Sequence, residues 1–232
     1  AQGIKAYKYA ERVLIMRIIE LTNYSKGICG VWARVREEAL RLSAKGHEVC
    51  VFSSDHIKGE EGKAAPEEQC GPVRIRRFPA TKLGGEGFLN WKFYNEASAF
   101  KPEIIIAHSY RQLHTTRALS FAREKGSKVF LVTHAPFVEK NFTRSLFASL
   151  AVQMYDSLIG PRTLGNFNKI ISITKWERKY LKDLGVPDNK IDYIPNGIPE
   201  EFFKSLPRGS KRKKILFLGR ISEIKNLEVV IK

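Results

Sequence analysis

The 232-residue chain is poor in cysteine, in acidic residues and in long apolar runs. Cys29, Cys50 and Cys70 are odd in number and far apart, and no two stand at the spacing of a zinc-binding pair. Neither a disulfide framework nor a structural metal is expected, and a reducing cytoplasm fits. Asp and Glu number 24 against 40 Lys and Arg, a net charge of +16. Such an excess asks for an anionic partner: nucleic acid, an acidic membrane surface or a phosphorylated substrate. Charge alone does not choose among these, and a solvated basic surface on a heat-tolerant protein accounts for it equally. No apolar run approaches the ~18 residues of a spanning helix, and no signal-peptide core opens the chain, so a soluble or peripheral protein is expected. The glycosylation sequons at Asn23 and Asn141 then read as chance matches.

What the sequence has in quantity is alternation. "RVLIMRIIELT" reads as a strand, the loop "NYSKGICG" follows, and Val31, Val35, Ala39 and Leu42 then share one helical face that Gly46 ends. "HEVCVFSS" is the next strand; a long Gly- and Glu-rich loop leads to the strand "VRIRRFPA" and to a helical stretch around "NWKFYNEASAF". The strand "EIIIAHS", a helix over Gln112 to Lys125 and the strand "KVFLVTHA" continue the pattern. A long helical stretch after Pro136, "KIISIT", a helix over Trp176 to Leu184 and "KIDYIP" complete it. Strands apolar almost throughout and separated by helices predict a doubly wound parallel α/β domain over 1–195. "PNGIPEEFFKSLPRGSKRKK" reads as a linker, centred on 196–212, with three prolines and a basic run. The terminal "KKILFLGRISEIKNLEVVIK" reads as a fresh strand, turn and helix over 213–232, the incomplete start of a second domain standing apart from the first sheet.

In such sheets ligands bind beyond the carboxyl ends of the strands. The residues there are the "KGICG" loop, His108, His134, and Gly219 with Arg220. These places carry a resemblance. Gly46-His47-Glu48-Val49, Cys29-Gly30 where a Gly-Gly pair is usual, "IIIAHSY", "LVTHAPF", "KIDYIPNGIPEEFF" and "LFLGRISEIKN" together resemble the retaining family 4 glycosyltransferases of the GT-B fold. Asn226 stands where the family's Gly-Arg-x4-Lys-Gly has its last glycine. The resemblance covers nearly the whole chain. It implies a Rossmann-like acceptor-side domain followed by the first βα unit of a second, nucleotide-sugar-binding Rossmann-like domain. The implied activity is hexosyl transfer from a nucleotide-sugar to a saccharide or lipid-linked acceptor.

A nucleotide-sugar leaves as a diphosphate, so cationic groups must meet the charge that develops on it. The resemblance gives that role to Arg220 and Lys225, before a helix N-terminus whose dipole adds to their field. With this pair no metal or other cofactor is required, and no Asp-x-Asp metal motif occurs in the chain. Gly30 and Gly197 are implied on the donor side, His108 and Gly27 on the acceptor side. His134 is implied at the reaction centre, positioning the sugar or acceptor rather than abstracting a proton. From the residues alone, each histidine also reads as a satisfied core side chain, and the two loop glycines as a tight turn. His47 reads as structural.

Phe142, Leu146, Leu150, Met154 and Leu158 recur at intervals of four, a stripe expected to pack on the sheet rather than lie on a membrane. The basic residues Arg74, Arg76, Arg77 and Lys82, with "RGSKRKK", are candidates for attraction to acidic headgroups or a lipid-phosphate acceptor at the inner face of the cell membrane. A basic nucleic-acid-binding module and an inactive Rossmann-like scaffold remain as alternatives. No RRM, KH or helix-turn-helix signature accompanies the first.

Overall fold

The structure, a computed structural model, describes residues 14–84, 87–136, 146–198, 203, 217 and 227–231. Strand β1 (Arg17–Thr22) is followed by helix α1 (Gly30–Ala44), β2 (Glu48–Ser54), β3 (Glu67–Cys70) and β4 (Val73–Phe78). A ribbon of β5 (Thr81–Gly84) and β6 (Phe88–Asn90) leads to α2 (Tyr94–Phe100), β7 (Ile104–His108), α3 (Leu113–Lys125) and β8 (Lys128–Val132). Helix α4 (Leu146–Met154) runs through a π-helical turn (Tyr155–Ile159) into α5 (Gly160–Leu164). Strand β9 (Lys169–Ser172), α6 (Glu177–Asp183) and β10 (Ile191–Tyr193) follow, and a short α7 (Glu228–Ile231) lies near the end of the chain.

The expected doubly wound sheet is present. Its order is β10-β9-β8-β7-β1-β2-β4-β3, parallel throughout except for β3, which pairs antiparallel at the edge with β4. Both faces are buried, which is why β1, β7 and β8 read as nearly unbroken apolar runs. Ile18, Val49, Val51, Ile75 and Ile106 meet Val35 and Ala39 of α1 on one face. Ile19, Leu21, Ile105 and Leu131 meet Phe121 of α3, Leu164 of α5 and Leu181 of α6 on the other. Gly46, with φ +94°, closes α1 as expected, while His47 accepts the Met16 N–H and so has the structural role foreseen for it. From β1 the chain winds outward through β2 and β4, then returns to lay β7 on the other side of β1 and winds the opposite way. The crevice at the carboxyl ends of β1 and β7 is therefore the sheet's topological switch point.

Two expectations are corrected. Leu150, Met154 and Leu158 are 56, 54 and 59% exposed, so the stripe on α4 and its π-helical extension does not pack on the sheet. Leu164 and the neighbouring Phe167 already fill that face, and a spacing of four fixes a stripe without fixing what it meets. Arg77, offered above as a lipid contact, is buried. Its guanidinium donates to the Ser25 hydroxyl (2.7 Å), the Ala65 carbonyl and the Glu68 carboxylate (2.7 Å). The Phe142 position, the pairing of the terminal strand and most of 196–232 lie outside the described residues.

Candidate active site at the switch point

Five non-glycine residues among those described have left-handed backbone, and four of them follow two adjacent strands: Ser109 (φ +77°) and Arg111 (+67°) after β7, His134 (+59°) and Ala135 (+49°) after β8. Such residues cost on the order of 1–3 kcal/mol each and persist only where the surroundings over-determine them. Here Glu177, wholly buried at the start of α6, is one determinant. One carboxylate oxygen accepts the Ala135 N–H (2.8 Å) and the Thr133 hydroxyl; the other accepts the N–H groups of Ile173 (2.8 Å) and Thr174 (2.9 Å). The loops after β8 and β9 are thus tied to one anion. Arg111 is a second determinant: its fork grips both Asp156 oxygens (2.8 and 2.5 Å) and its remaining nitrogen donates to the Pro136 carbonyl (3.1 Å). The Tyr110 hydroxyl also donates to Asp156, which sits in the π-helical turn. Gly160 lets that turn pass, because a Cβ there would come within 2.4 Å of the Tyr110 oxygen.

Inside this frame lies a chain of three side chains. His108 is fully buried at the end of β7; its Nε2 meets Oε2 of Glu20 on β1 at 2.5 Å, and its Nδ1 meets Nε2 of His134 at 2.9 Å. Burial drives all three toward neutrality. It raises the Glu20 carboxyl well above its ordinary range and lowers His108 to about 4 and His134 to about 2. Glu38 and Arg34 of α1 face the cluster, paired to each other at 3.2 Å. The Glu38 carboxyl is raised by burial and then by Glu20. Arg34 reaches onward to the Ile194 carbonyl and the Asn196 amide oxygen (2.9 Å), tying α1 to the "IPNG" segment.

Glu20, Glu38 and His108 offer ligand atoms within 4.8 Å of one another, the one group among the described residues that could hold a metal ion. The fit is poor. Arg34 already supplies a cation to Glu38, and His108 Nε2 is already committed to Glu20, so an ion would have to displace both.

The structure brings His108 and His134 into contact at this end of the sheet. Gly30 is the first residue of α1, exposed, with no side-chain cap and nothing within 4 Å of where a Cβ would stand. A ligand can approach there closely. Gly27 differs: at φ +86° its backbone bridges to Lys58, whose carbonyl oxygen would lie 2.3 Å from an added Cβ, so the fold itself demands glycine. Gly197 is exposed beside Asn196 with open space around it. Arg220 and Lys225 lie outside the described residues. Sequence reasoning missed Glu20, Glu177, Arg111 and Asp156. Only Glu20 left a signal, a carboxylate interrupting a strand apolar on both faces.

A family model described as Glycosyltransferase Family 4 matches residues 28–202. The Anabaena protein Alr3699/HepE, solved in complex with UDP, superposes with a TM-score of 0.54 at 13% identity, covering 83% of this chain and 47% of that one. Its complexes with UDP-glucose and with UDP and glucose give 0.51 each at the same identity and coverage. The likeness is one of fold, the GT-B type Rossmann-like sheet expected from the sequence, and this chain spans about half the length of those structures. No curated protein matches.

Proposed function

The chain belongs to glycosyltransferase family 4, and from that premise we propose that it transfers a hexosyl group, with retention, from a nucleotide-sugar to a saccharide or lipid-linked acceptor. The observation that carries this reading is the contact between His108, the last residue of β7, and His134, itself in left-handed backbone, at the switch point where open α/β sheets bind ligands. His134 touches the sugar or acceptor and positions it, while His108 and the loop through Gly27 shape the acceptor side. Gly30, at an uncapped helix N-terminus with free N–H groups, lets a diphosphate approach the backbone. Arg220, Lys225 and Gly197 serve the donor, the two cations meeting the leaving diphosphate in place of a metal. The solved relative's complexes with UDP and UDP-glucose favour a nucleotide-sugar donor.

The test is a panel of nucleotide-sugars with the full-length natural protein, following nucleoside diphosphate release and the anomeric signal of the product by NMR, with and without a chelator. One donor is expected to be consumed with its anomeric configuration kept and its rate unchanged by chelation. Turnover of none of the donors would falsify the reading; an inverted product or loss of activity on chelation would remove its retaining or its metal-independent part.

A further inference from the structure

In a neutral imidazole one nitrogen donates and the other accepts, and both nitrogens of His108 are committed, one to Glu20 and one to His134. Only two arrangements of neutral rings satisfy that geometry. With Glu20 as carboxylate, His108 Nε2–H donates to it, His108 Nδ1 accepts from His134 Nε2–H, and His134 Nδ1 is left as a bare acceptor. With Glu20 protonated, its O–H donates to His108 Nε2, His108 Nδ1–H donates to His134 Nε2, and His134 Nδ1 carries a proton. No further hydrogen bond engages that nitrogen among the described residues.

We propose that Glu20, His108 and His134 form a proton-sharing relay, in which the buried carboxyl sets whether the uncommitted Nδ1 of His134 donates or accepts while both rings stay neutral. The conversion balances: one proton from solvent bonds to His134 Nδ1, the Nε2 proton of His134 passes to His108 Nδ1, and the Nε2 proton of His108 passes to Glu20 Oε2. One proton enters and one negative charge is neutralised. Glu20 and His108 are both fully buried, so an imidazolium would be costly in every intermediate arrangement, whereas the protonated arrangement holds no charge at all. Glu20 Oε1 has no hydrogen-bond partner, a loss that a neutral carboxyl tolerates better than a permanent anion. The depressed basicity of both histidines and the raised carboxyl are consistent with this placement of the proton.

The groups that face the relay pull both ways. From α1, Arg34 favours the carboxylate form of Glu20 and Glu38 opposes it. From α3, His114 donates to the His108 carbonyl (2.8 Å) and is itself held neutral by burial. From α6, Glu177 holds Ala135 beside His134. On the glycosyltransferase reading, on which this last step alone rests, the relay decides whether His134 orients a sugar hydroxyl by accepting from it or a phosphate or hydroxyl oxygen by donating to it.

The experiment is a pH titration of the full 232-residue chain labelled with 15N at histidine, read by NMR for tautomer, with and without Glu20→Gln. His108 and His134 are expected to change together from Nε2–H to Nδ1–H as pH falls, with one midpoint above the ordinary Glu value of 4.5 and no imidazolium signal. In Glu20→Gln the shared change should vanish, because the amide cannot take up the proton. Separate midpoints with imidazolium shifts, tautomers fixed wherever the protein stays folded, or stoichiometric metal in the purified protein would each overturn the relay. If the variant does not fold, the parent titration decides by itself. Failure of sugar transfer leaves this readout untouched, so the two ideas fail separately.

Discussion

At Glu177 a single buried carboxylate accepts from the backbone of Ala135, Ile173 and Thr174, so its removal strands three donors away from water. Glu177→Ala is expected to lower the unfolding free energy by about 3 kcal/mol or more and Glu177→Gln by roughly half that, measured by urea denaturation. An alanine variant within about 1 kcal/mol of the parent would contradict the clamp. His114 supplies a pH dependence. It stacks on Trp91 with ring centroids 5.4 Å apart, and burial lowers it from 6.5 to about 4. The folded ring therefore stays neutral where the unfolded one is charged: its stabilisation is complete above pH 6.5 and is lost as pH falls toward 4. That shift corresponds to about 3 kcal/mol. Between pH 6.5 and 4 the parent should lose more stability than His114→Gln by an amount of this order. Parallel loss in both proteins would show that His114 titrates normally in the fold.

Among the elements, the junction between β1 and α1 separates a glycine that the fold requires from one that it does not. Gly27→Ala should destabilise by on the order of 3 kcal/mol, since it combines left-handed backbone with a clash against the Lys58 main chain. Gly30→Ala, with open space and no positive φ, should leave thermal stability unchanged while weakening nucleotide-sugar binding several-fold. Equal affinity in that variant and the parent would remove Gly30 from the donor site. The α/β alternation was legible because strands buried on both faces carry little besides apolar residues. Strand β3, "EEQC", was not: it is exposed along nearly its whole length, so no alternation marks it, and its place comes from pairing with β4. The β5–β6 ribbon was hidden for the same reason, with all of β5 exposed. His108 and His134 could be picked out by their positions after strands. Their joining through Glu20, and the Arg111–Asp156 fork across 45 residues of sequence, are tertiary facts that no local period records.

For the whole molecule, the charge of +16 is not all free: Arg77 and Arg111 are spent inside the fold, and Lys63, Arg76 and Arg178 are paired with carboxylates. Among the described residues no helix is long and apolar enough to cross a membrane, yet Leu150, Met154 and Leu158 form an exposed apolar stripe. Peripheral attachment through this stripe and the basic surface predicts sedimentation with anionic vesicles at low salt and release as screening increases. Equal recovery with neutral and anionic vesicles would argue against it. The central claim, that the crevice at the ends of β1, β7 and β8 is where a sugar is transferred, is tested most directly by one comparison. The kcat/KM for sugar transfer by the full-length natural protein is measured for the parent and for His134→Ala, with folding of the variant checked by its circular dichroism. The account predicts a folded variant whose kcat/KM falls by about 10²-fold or more, the loss expected when a group orienting the reacting centre is removed; a folded variant that transfers sugar at the parent's rate would contradict it.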